Sequence, residues 1–198
     1  MASNSNNVIC AENQQERLIK VGWIIGFVDG EGCFSVGFIK QANKIEKNRL
    51  RRGYKIGYQV TCEFAVTQGK KSLGSLKELR NFFRVGRIYI NRRKDNHKEP
   101  LYRFVVRNRK ELTEVIVPFF QKFTLKTSKR KDFTKFVECL EMVKNNEHLQ
   151  INGFIKIAKI TMTMNRRKNR SALIRILRDH TLTSKSVEIL DEEMVRTA

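Results

Sequence analysis

The segment Val21–Cys33, which reads V-G-W-I-I-G-F-V-D-G-E-G-C, constrains the fold more than any other part of this chain. Glycines recur at Gly22, Gly26 and Gly30, the spacing that places small residues along one face of a helix. A helix face without Cβ atoms lets a second backbone approach unusually closely. The segment therefore predicts a helix that packs tightly against another element along its glycine face.

The end of this helix has an unusual charge. Asp29 and Glu31 lie at its C-terminal end, where the helix dipole already concentrates partial negative charge. A positive group nearby would offset that cost, and a divalent cation is the first candidate. An ordinary helix cap and turn is the alternative, because the sequence Asp-Gly-Glu-Gly suits that role too. The apolar run is too short to cross a bilayer, which needs about 20 residues.

The composition of the chain indicates a polyanionic partner. Its 198 residues include 40 Lys and Arg against 20 Asp and Glu, which gives a formal net charge of +20. Such an excess favours nucleic acid, through phosphate contacts and counterion release. With 40% hydrophobic residues and two prolines, the chain is predicted to fold rather than to remain a basic disordered tail. A ribosomal or other RNA-binding protein is the alternative that charge alone leaves open.

The cysteines point to an intracellular protein. Cysteines at positions 10, 33, 62 and 139 lack the spacing of a metal site, and the chain has three histidines. We therefore expect no zinc site and reduced cysteines. Residues 1–12 lack the regions of a signal peptide, and we expect neither a transmembrane segment nor a membrane partner. The predicted location is a bacterial cytoplasm or an organelle.

Hydrophobic periodicity predicts an α+β fold. The clearest strand runs from Tyr54 to Gln68, where apolar and polar residues alternate. Four antiparallel strands with helices on one face are the expected arrangement. The predicted strands lie at 33–40, 54–68, 86–93 and 101–107, and the predicted helices at 14–28, 71–83, 111–120, 128–144, 151–164 and 171–177. We expect a flexible N-terminal arm over residues 1–12, one domain over 13–180 and a C-terminal tail over 181–198.

One face of the predicted sheet is polar and strongly cationic, which favours nucleic acid over plain solvent. Alternation assigns to this face Ser35, Lys55, Gln59, Thr61, Glu63, Arg87, Tyr89, Asn91, Arg93, Arg103 and Arg107. A basic loop over 44–52 and a basic run over 166–170 are expected to add phosphate contacts from Lys44, Arg49, Arg51, Arg52, Arg166, Arg167 and Lys168.

The motif G-W-I-I-G-F-V-D-G-E-G at 22–32, followed by a strand and by V-T-Q at 66–68, resembles the LAGLIDADG homing endonucleases. The sequence P-F-F-Q-K-F-T-L-K-T-S-K-R-K-D-F at 118–133 is similar to a second recurring element of that family. The resemblance covers about residues 17–144 and includes one copy of the first motif. It implies a four-stranded sheet that forms a DNA-binding saddle, with the helices on the other face.

The resemblance also implies catalytic roles. Glu31 would be the metal-binding carboxylate, and the carbonyl of Gly30 a neighbouring ligand of Mg²⁺. Gln68 would orient solvent around the metal. A lysine, Lys129 or otherwise Lys126, would lie near the scissile phosphate.

Family members with one motif copy work as homodimers, so the resemblance implies a dimer interface here. It would contain Gly22, Trp23, Gly26 and Asp29, with Asp29 capping the partner helix rather than binding metal. Two glycine faces would then pack against each other.

The implied function is a homodimeric, Mg²⁺-dependent, site-specific endonuclease that makes a double-strand break in a long, pseudo-palindromic DNA target. Cleavage would promote the copying of a mobile intron. The alternatives are a maturase of the same fold that binds intron RNA, a transcription regulator, and a structural RNA-binding protein. Intact Glu31 and Gln68 favour the endonuclease, and a lone His97 in a loop disfavours an HNH nuclease.

Overall fold

A computed structural model describes residues 3–41, 44–46, 49–51, 53, 55–91 and 100–165, with the backbone alone over 3–12, 44–46 and 50–51. Within these ranges the helices are α1 Ser3–Glu31, α2 Leu73–Phe83, α3 Arg109–Glu111, α4 Val117–Lys122, α5 Lys129–Lys144 and α6 Ile151–Met162. The strands are β1 Gly32–Lys40, β2 Lys44–Glu46, β3 Arg49–Arg51, β4 Tyr58–Gly69, β5 Arg87–Asn91 and β6 Leu101–Val106. Short 3₁₀ helices lie at Lys70–Ser72 and Glu147–Leu149, and a π-helix lies at Leu112–Ile116.

Four strands form one sheet in the order β1-β4-β6-β5, while β2 and β3 pair with each other. Strand β6 pairs antiparallel with both β4 and β5, and the β4 register runs from Phe64 opposite Val106 to Gly69 opposite Leu101. The predicted α+β fold with a four-stranded sheet is confirmed. Strands β5 and β6 are consecutive in the chain and pair, as consecutive strands often do, whereas β4 and β6 pair although α2 and β5 lie between them in sequence.

The chain divides into two compact units, one of residues 1–33 and 64–130 and the other of residues 34–63 and 131–198. We call them the first and the second unit. The expectation of one domain over 13–180 stays a prediction. Residues 166–198, which include the predicted helix at 171–177 and the tail at 181–198, lie outside the described residues.

The core of the first unit is built from phenylalanines. Phe64 of β4 lies against Phe83 of α2, Phe104 of β6 and Phe120 of α4, with ring centroids 5.6–6.3 Å apart. Phe64, Phe104 and Phe120 are at most 1% exposed. Edge-to-face aromatic pairs of this kind add about 0.5–1.5 kcal/mol each beyond the burial of their area. Helices α2 and α4 therefore cover one face of β4 and β6.

The second unit has its own aromatic core. Phe34 of β1 packs on Phe133 and Phe136 of α5, and Phe154 of α6 packs on Phe38 and Tyr58. Ile157 and Cys139 are also fully buried in this core. Burial, with Cys62 nearby, raises the pKa of the Cys139 thiol to about 12, so this cysteine is a neutral core residue.

Some predicted boundaries were wrong. Helix α1 begins at Ser3 rather than near Gln14, so it includes most of the residues expected in a separate arm. Strand β4 begins at Tyr58 rather than Tyr54, because Gly57 at φ +76° turns the chain immediately before it. Lys55 therefore lies in an exposed turn, not on the strand face.

Two further segments differ from their predictions. The basic loop over 44–52 contains the strands β2 and β3, which pair with Lys44 opposite Arg51. The predicted helix at 111–120 becomes α3, the π-helix and α4, in one run of helical residues. Pro118 lies at the start of α4 and has no N–H to donate, which accounts for the widened turn before it.

Neither a membrane-spanning helix nor a cluster of metal-ligating side chains is found among the described residues. No described helix is both long enough and apolar enough to cross a membrane. Among the described residues, no group of three or more His, Cys, Asp or Glu side chains lies close enough to hold a metal ion.

Candidate active site and nucleic-acid face

The junction of α1 and β1 places Glu31 at the last position of the helix. Strand β1 begins at the next residue, Gly32, so the chain changes from helix to strand without a loop. A Cβ atom at Gly32 would lie 2.7 Å from the carbonyl oxygen of Val28, which no side chain could tolerate without a backbone shift. Glycine is thus required here, and the side chain of Glu31 is left exposed.

Asp29 is held within its own chain. Its Oδ2 accepts a hydrogen bond of 2.6 Å from the backbone N–H of Lys126, and its Oδ1 accepts bonds from the backbone N–H and the hydroxyl of Thr127, at 3.3 and 2.9 Å. Hydrogen bonds to a carboxylate are roughly twice as strong as neutral ones. Asp29 therefore ties the end of α1 to the segment that precedes α5. Its predicted role as a cap of a partner helix stays a prediction.

Lys129 supplies the positive charge that the end of α1 needs. Its Nζ donates hydrogen bonds to the carbonyl oxygens of Val28 (3.0 Å) and Gly30 (3.1 Å). A cation at a helix C-terminus is stabilised by the dipole and by the unpaired carbonyls. The predicted charge compensation is thus present within the chain, and it is made by an ammonium group.

The two acids at the end of α1 consequently differ in availability. Both oxygens of Asp29 already accept hydrogen bonds from the 126–127 segment. Glu31 is exposed, and it follows the carbonyl of Gly30 on which Lys129 lies. Of the two carboxylates, Glu31 is the one placed to meet an external ligand.

The other predicted catalytic residues lie in the same unit. Gln68 is half-buried near the end of β4, opposite Tyr102 of β6. Lys126 is exposed, and its backbone N–H donates a hydrogen bond to Asp29. Of the two lysines considered for the scissile phosphate, Lys129 has its ammonium group beside Gly30.

The strand face of the first unit presents a polar row. Tyr89 of β5 lies opposite Arg103 of β6, which lies opposite Thr67 of β4. Directly opposite residues point to the same face, so these three side chains share it. Tyr89 is 47% exposed and Asn91, two residues further on, is also exposed. The face is therefore open where the predicted base-reading residues lie.

The next row toward the core is different. Arg87 is exposed, but its partner Val105 and the following residue Ala65 are 4% and 2% exposed. Beside this row, a pocket of about 210 Å³ is lined by Arg87, Tyr89, Arg107 and Glu111 among others. Glu111 accepts a hydrogen bond from the amide of Gly86 at 3.2 Å. Arg87 is thus the one polar side chain of this row.

Some polar side chains of β1 and β4 in the second unit already form hydrogen bonds within the chain. Ser35 is half-buried, and the hydroxyl of Thr61 donates to the carbonyl of Gly37 at 3.3 Å. Gln59 accepts a hydrogen bond of 3.1 Å from the amide of Gln41, a residue that the sequence analysis did not single out.

Glu63 is not placed as the alternation predicted. It is 9% exposed, although it lies between the half-buried Thr61 and the buried Ala65 on the polar side of β4. Strand β4 has a neighbour on each side in the sheet, so its middle is the most shielded part. Glu63 is accordingly a poor candidate for contact with DNA.

The glycine face of α1 is uncovered. A Cβ atom added at Gly22, Gly26 or Gly30 would meet no other atom within 4 Å. Leu18, one turn before Gly22, is 60% exposed. Trp23 is half-buried and stacks on Phe27 at 5.3 Å. The predicted close packing is therefore not made inside the described part of the chain, and the face remains free for a second backbone.

The remaining predicted DNA contacts are only partly described. Arg49 of β3 and Arg107 after β6 are exposed. Arg93, Arg52, Arg166, Arg167 and Lys168 lie outside the described residues, and for Lys44 and Arg51 only the backbone is described.

The family model of the LAGLIDADG endonucleases matches residues 24–140. The chain belongs to this family. The matched range contains Asp29, Glu31, Gln68 and Lys129, so the whole described cluster at the end of α1 falls within it. The resemblance read from the motif is confirmed.

Relatives of this LAGLIDADG chain occur in fungi. A "probable intron-encoded endonuclease 2" of Neurospora crassa is 30% identical over 140 residues, which are 70% of the chain and 26% of that protein. An uncharacterised 50.9 kDa protein in ND4 intron 1 of Podospora anserina is 34% identical over 129 residues, 64% of the chain and 25% of that protein. The chain thus spans about a quarter of the length of these relatives.

Solved structures of the family are similar as well. The homing endonuclease I-TnaI is 38% identical with a TM-score of 0.66, over 81% of this chain and 97% of that one. The LAGLIDADG homing endonuclease I-LtrWI, solved bound to its target DNA, is 32% identical with a TM-score of 0.65, over 77% of this chain and 47% of that one. The fold of a LAGLIDADG endonuclease is therefore shown for this chain.

Proposed function

We propose that this LAGLIDADG chain forms a site-specific endonuclease that cleaves both strands of a long DNA target. The observation that carries the proposal is the end of α1, where the exposed carboxylate of Glu31 follows a carbonyl bonded by the ammonium group of Lys129. A carboxylate and a cation at the same helix end match the needs of phosphodiester hydrolysis, which develops negative charge on the phosphate. The relative I-LtrWI was solved bound to its target DNA, which supports DNA as the substrate.

The donor set at this position fits a hard divalent cation, and we propose Mg²⁺. Glu31 would hold it through carboxylate oxygen, and the Gly30 carbonyl would be a second oxygen donor once Lys129 releases it. When bound, the ion would neutralise charge on the phosphate and lower the pKa of a water molecule. Lys129, freed from Gly30, would lie within reach of a phosphate oxygen, and Gln68 would hydrogen-bond solvent.

A second copy of the motif completes the proposed site. One chain offers a single exposed carboxylate here, and its described residues contain no cluster of three metal-ligating side chains. The open face of Gly22, Gly26 and Gly30 provides the surface on which a second α1 would pack. We propose that a homodimer supplies this second helix, so that each copy contributes one Glu31 and the DNA target is pseudo-palindromic.

The strand face is proposed to bind the DNA. Its outer rows present Tyr89, Arg103 and Asn91, side chains that donate to or accept from base edges. The net charge of +20 supplies the non-specific attraction to phosphates. The intron-encoded relatives support a reading frame inside a mobile intron, with the uninterrupted gene as the target, and an organelle as one location for it.

The test pairs cleavage with binding for Glu31→Gln. The DNA is the joined sequence of the flanking exons, or a target selected from randomised duplexes. Removing the carboxylate charge while keeping its shape should lower cleavage by about a thousandfold, since metal-supplied charge stabilisation amounts to several kcal/mol. DNA affinity should change less than about tenfold. Glu114→Gln, an exposed glutamate of the same unit, is the control with the same change in charge.

Cleavage retained by Glu31→Gln would remove Glu31 from the catalytic role. A wild-type chain that binds the intron RNA tightly but cuts no duplex would instead support the maturase alternative. The same gel-shift assay measures binding, and the same cleavage assay measures cutting, in both cases.

A further inference from the structure

Thr127 lies between the end of α1 and the start of α5, the two elements that form the candidate site. Its hydroxyl donates to Asp29 Oδ1 at 2.9 Å and accepts from the backbone N–H of Lys129 at 3.3 Å. A hydroxyl has one donor and two acceptor positions, so it makes both bonds at once. Asp29 is near the end of α1, and Lys129 is the first residue of α5. One side chain thus bridges the helix that carries the acid and the residue that carries the cation.

The bridge is part of a closed ring of contacts. From Asp29 the ring passes through the Thr127 hydroxyl to the backbone of Lys129, and the Lys129 side chain returns to the carbonyl of Gly30. The amide of Thr127 adds a bond of 3.3 Å to Asp29, and its carbonyl accepts from Arg130 at 3.1 Å. Each residue of the ring is hydrogen-bonded to the next. The position of the Lys129 side chain relative to the end of α1 therefore depends on Thr127.

We infer that Thr127 is a positioning residue for the cleavage reaction. It fixes the backbone of Lys129 with respect to the end of α1, so that the ammonium group stays at this helix end when it leaves the Gly30 carbonyl. Thr127 itself touches neither DNA nor the reacting atoms in this scheme. The inference rests on the proposed endonuclease function and deepens it.

The physical reason to expect a kinetic effect is geometric. A catalytic group misplaced by about 1 Å can cost 10²-fold in rate, even when the change is made outside the reacting atoms. Loss of the Thr127 hydroxyl removes two links of the ring and leaves the backbone hydrogen bonds of Lys126 and Thr127 to Asp29 in place. Thr127 is exposed, so its replacement changes little buried surface. The chemical step should therefore suffer more than folding or DNA binding.

The experiment compares Thr127→Val, which keeps the shape and removes the hydroxyl, with Thr127→Ser, which keeps the hydroxyl. Single-turnover cleavage by Thr127→Val should be about 10–100-fold slower than wild type, with DNA affinity in calcium unchanged within about threefold. Calcium is suitable because the relative I-SmaMI was crystallised with uncleaved DNA in its presence. Thr127→Ser should cleave within about threefold of wild type.

Two further arms exclude a merely structural effect. Thr163→Val is the matched control, an exposed threonine whose hydroxyl donates to the carbonyl of Ile160 in its own helix turn. It should cleave like wild type. Combining Thr127→Val with Asp29→Asn should slow cleavage little beyond the slower single variant, because both changes weaken the same ring. Thermal melting accompanies each variant, and Thr127→Ala replaces Thr127→Val if the latter fails to fold.

The outcomes separate the inference from the proposed function. A wild-type chain that never cuts its target denies the function itself. A wild-type chain that cuts, with Thr127→Val cutting at the same rate, overturns the role of Thr127 alone. The role is also overturned if Thr127→Val loses affinity as much as rate, if Thr127→Ser fails to restore cleavage, or if the effects of Thr127→Val and Asp29→Asn multiply.

Discussion

At the scale of single residues, the two candidate lysines at the end of α1 differ in their contacts. Lys129 donates to the carbonyls of Val28 and Gly30, whereas Lys126 is tied to Asp29 through its backbone only. We predict that Lys129→Met lowers cleavage by about 10²–10³-fold, the usual cost of losing one electrostatic stabiliser. Lys126→Met should lower it less than about tenfold. Single-turnover cleavage on the same target measures both.

The same substitution has a stability signature. Lys129→Met should also cost about 0.3–1 kcal/mol of folding free energy, because it removes a cation from a helix C-terminus, and this loss should shrink at high salt. Denaturant titration of both variants checks it. Equal cleavage defects in the two variants, or a larger defect in Lys126→Met, would exchange their roles.

The sequence predicted some of these residue roles and not others. The ligand roles of Glu31 and Gly30 were implied by the resemblance of the local motif that contains them, and they stay predictions. Thr127 was missed because its partner Asp29 is separated from it by 98 positions, and no periodicity links the two. Gln41 was missed for the same reason, since its contact with Gln59 depends on how β1 and β4 meet.

At the scale of elements, the glycine face of α1 can be tested against a matched glycine in α2. Gly26 and Gly74 both lie in helices, and a Cβ atom at either would meet nothing within 4 Å. Leucine at both positions should fit the single chain, and it raises helix propensity relative to glycine. If a second α1 packs on the glycine face, Gly26→Leu alone should overpack that contact, at about 1–3 kcal/mol for each copy.

Sedimentation should therefore show monomer for Gly26→Leu and dimer for wild type and Gly74→Leu. Circular dichroism confirms that both variants remain folded. A dimeric, active Gly26→Leu would refute the glycine face as the interface. A Gly74→Leu variant that also dissociated would assign the effect to folding instead.

The elements themselves were predictable where one period dominated. Strand β4 and helices α2 and α5 alternate or repeat clearly, and all three were found, the helices with errors of one or two residues at their starts and β4 with a start four residues too early. Strands β2 and β3 were interpreted as a loop, because three-residue strands in a basic segment give no visible alternation. The burial of Glu63 arises from the place of β4 inside the sheet, which a strand pattern alone does not contain.

At the scale of the whole molecule, DNA binding is expected to depend on positive charge and on two-fold symmetry. Arg49 of β3 is exposed and proposed to grip a phosphate, so Arg49→Gln should weaken binding to all DNA sequences alike and lower the salt slope of log K by about one for each copy that makes the contact. Arg80→Gln is the matched control. Its exposed arginine lies on α2, whose Phe83 packs on the covered face of β4 and β6, so its slope should change less.

Asn91 of β5 is proposed to read a base edge, and its substitution should behave differently. Asn91→Ala should cost about 1–3 kcal/mol at the preferred base and relax preference at one position, with little change in salt slope. Because a homodimer is two-fold symmetric, the relaxed position should appear in both half-sites of the target. Profiling of cleaved duplexes randomised at every position measures this directly. An effect confined to one half-site would show that the two strand faces on the DNA are not identical copies. The homodimer would then be wrong, and the DNA would be bound by two unlike halves.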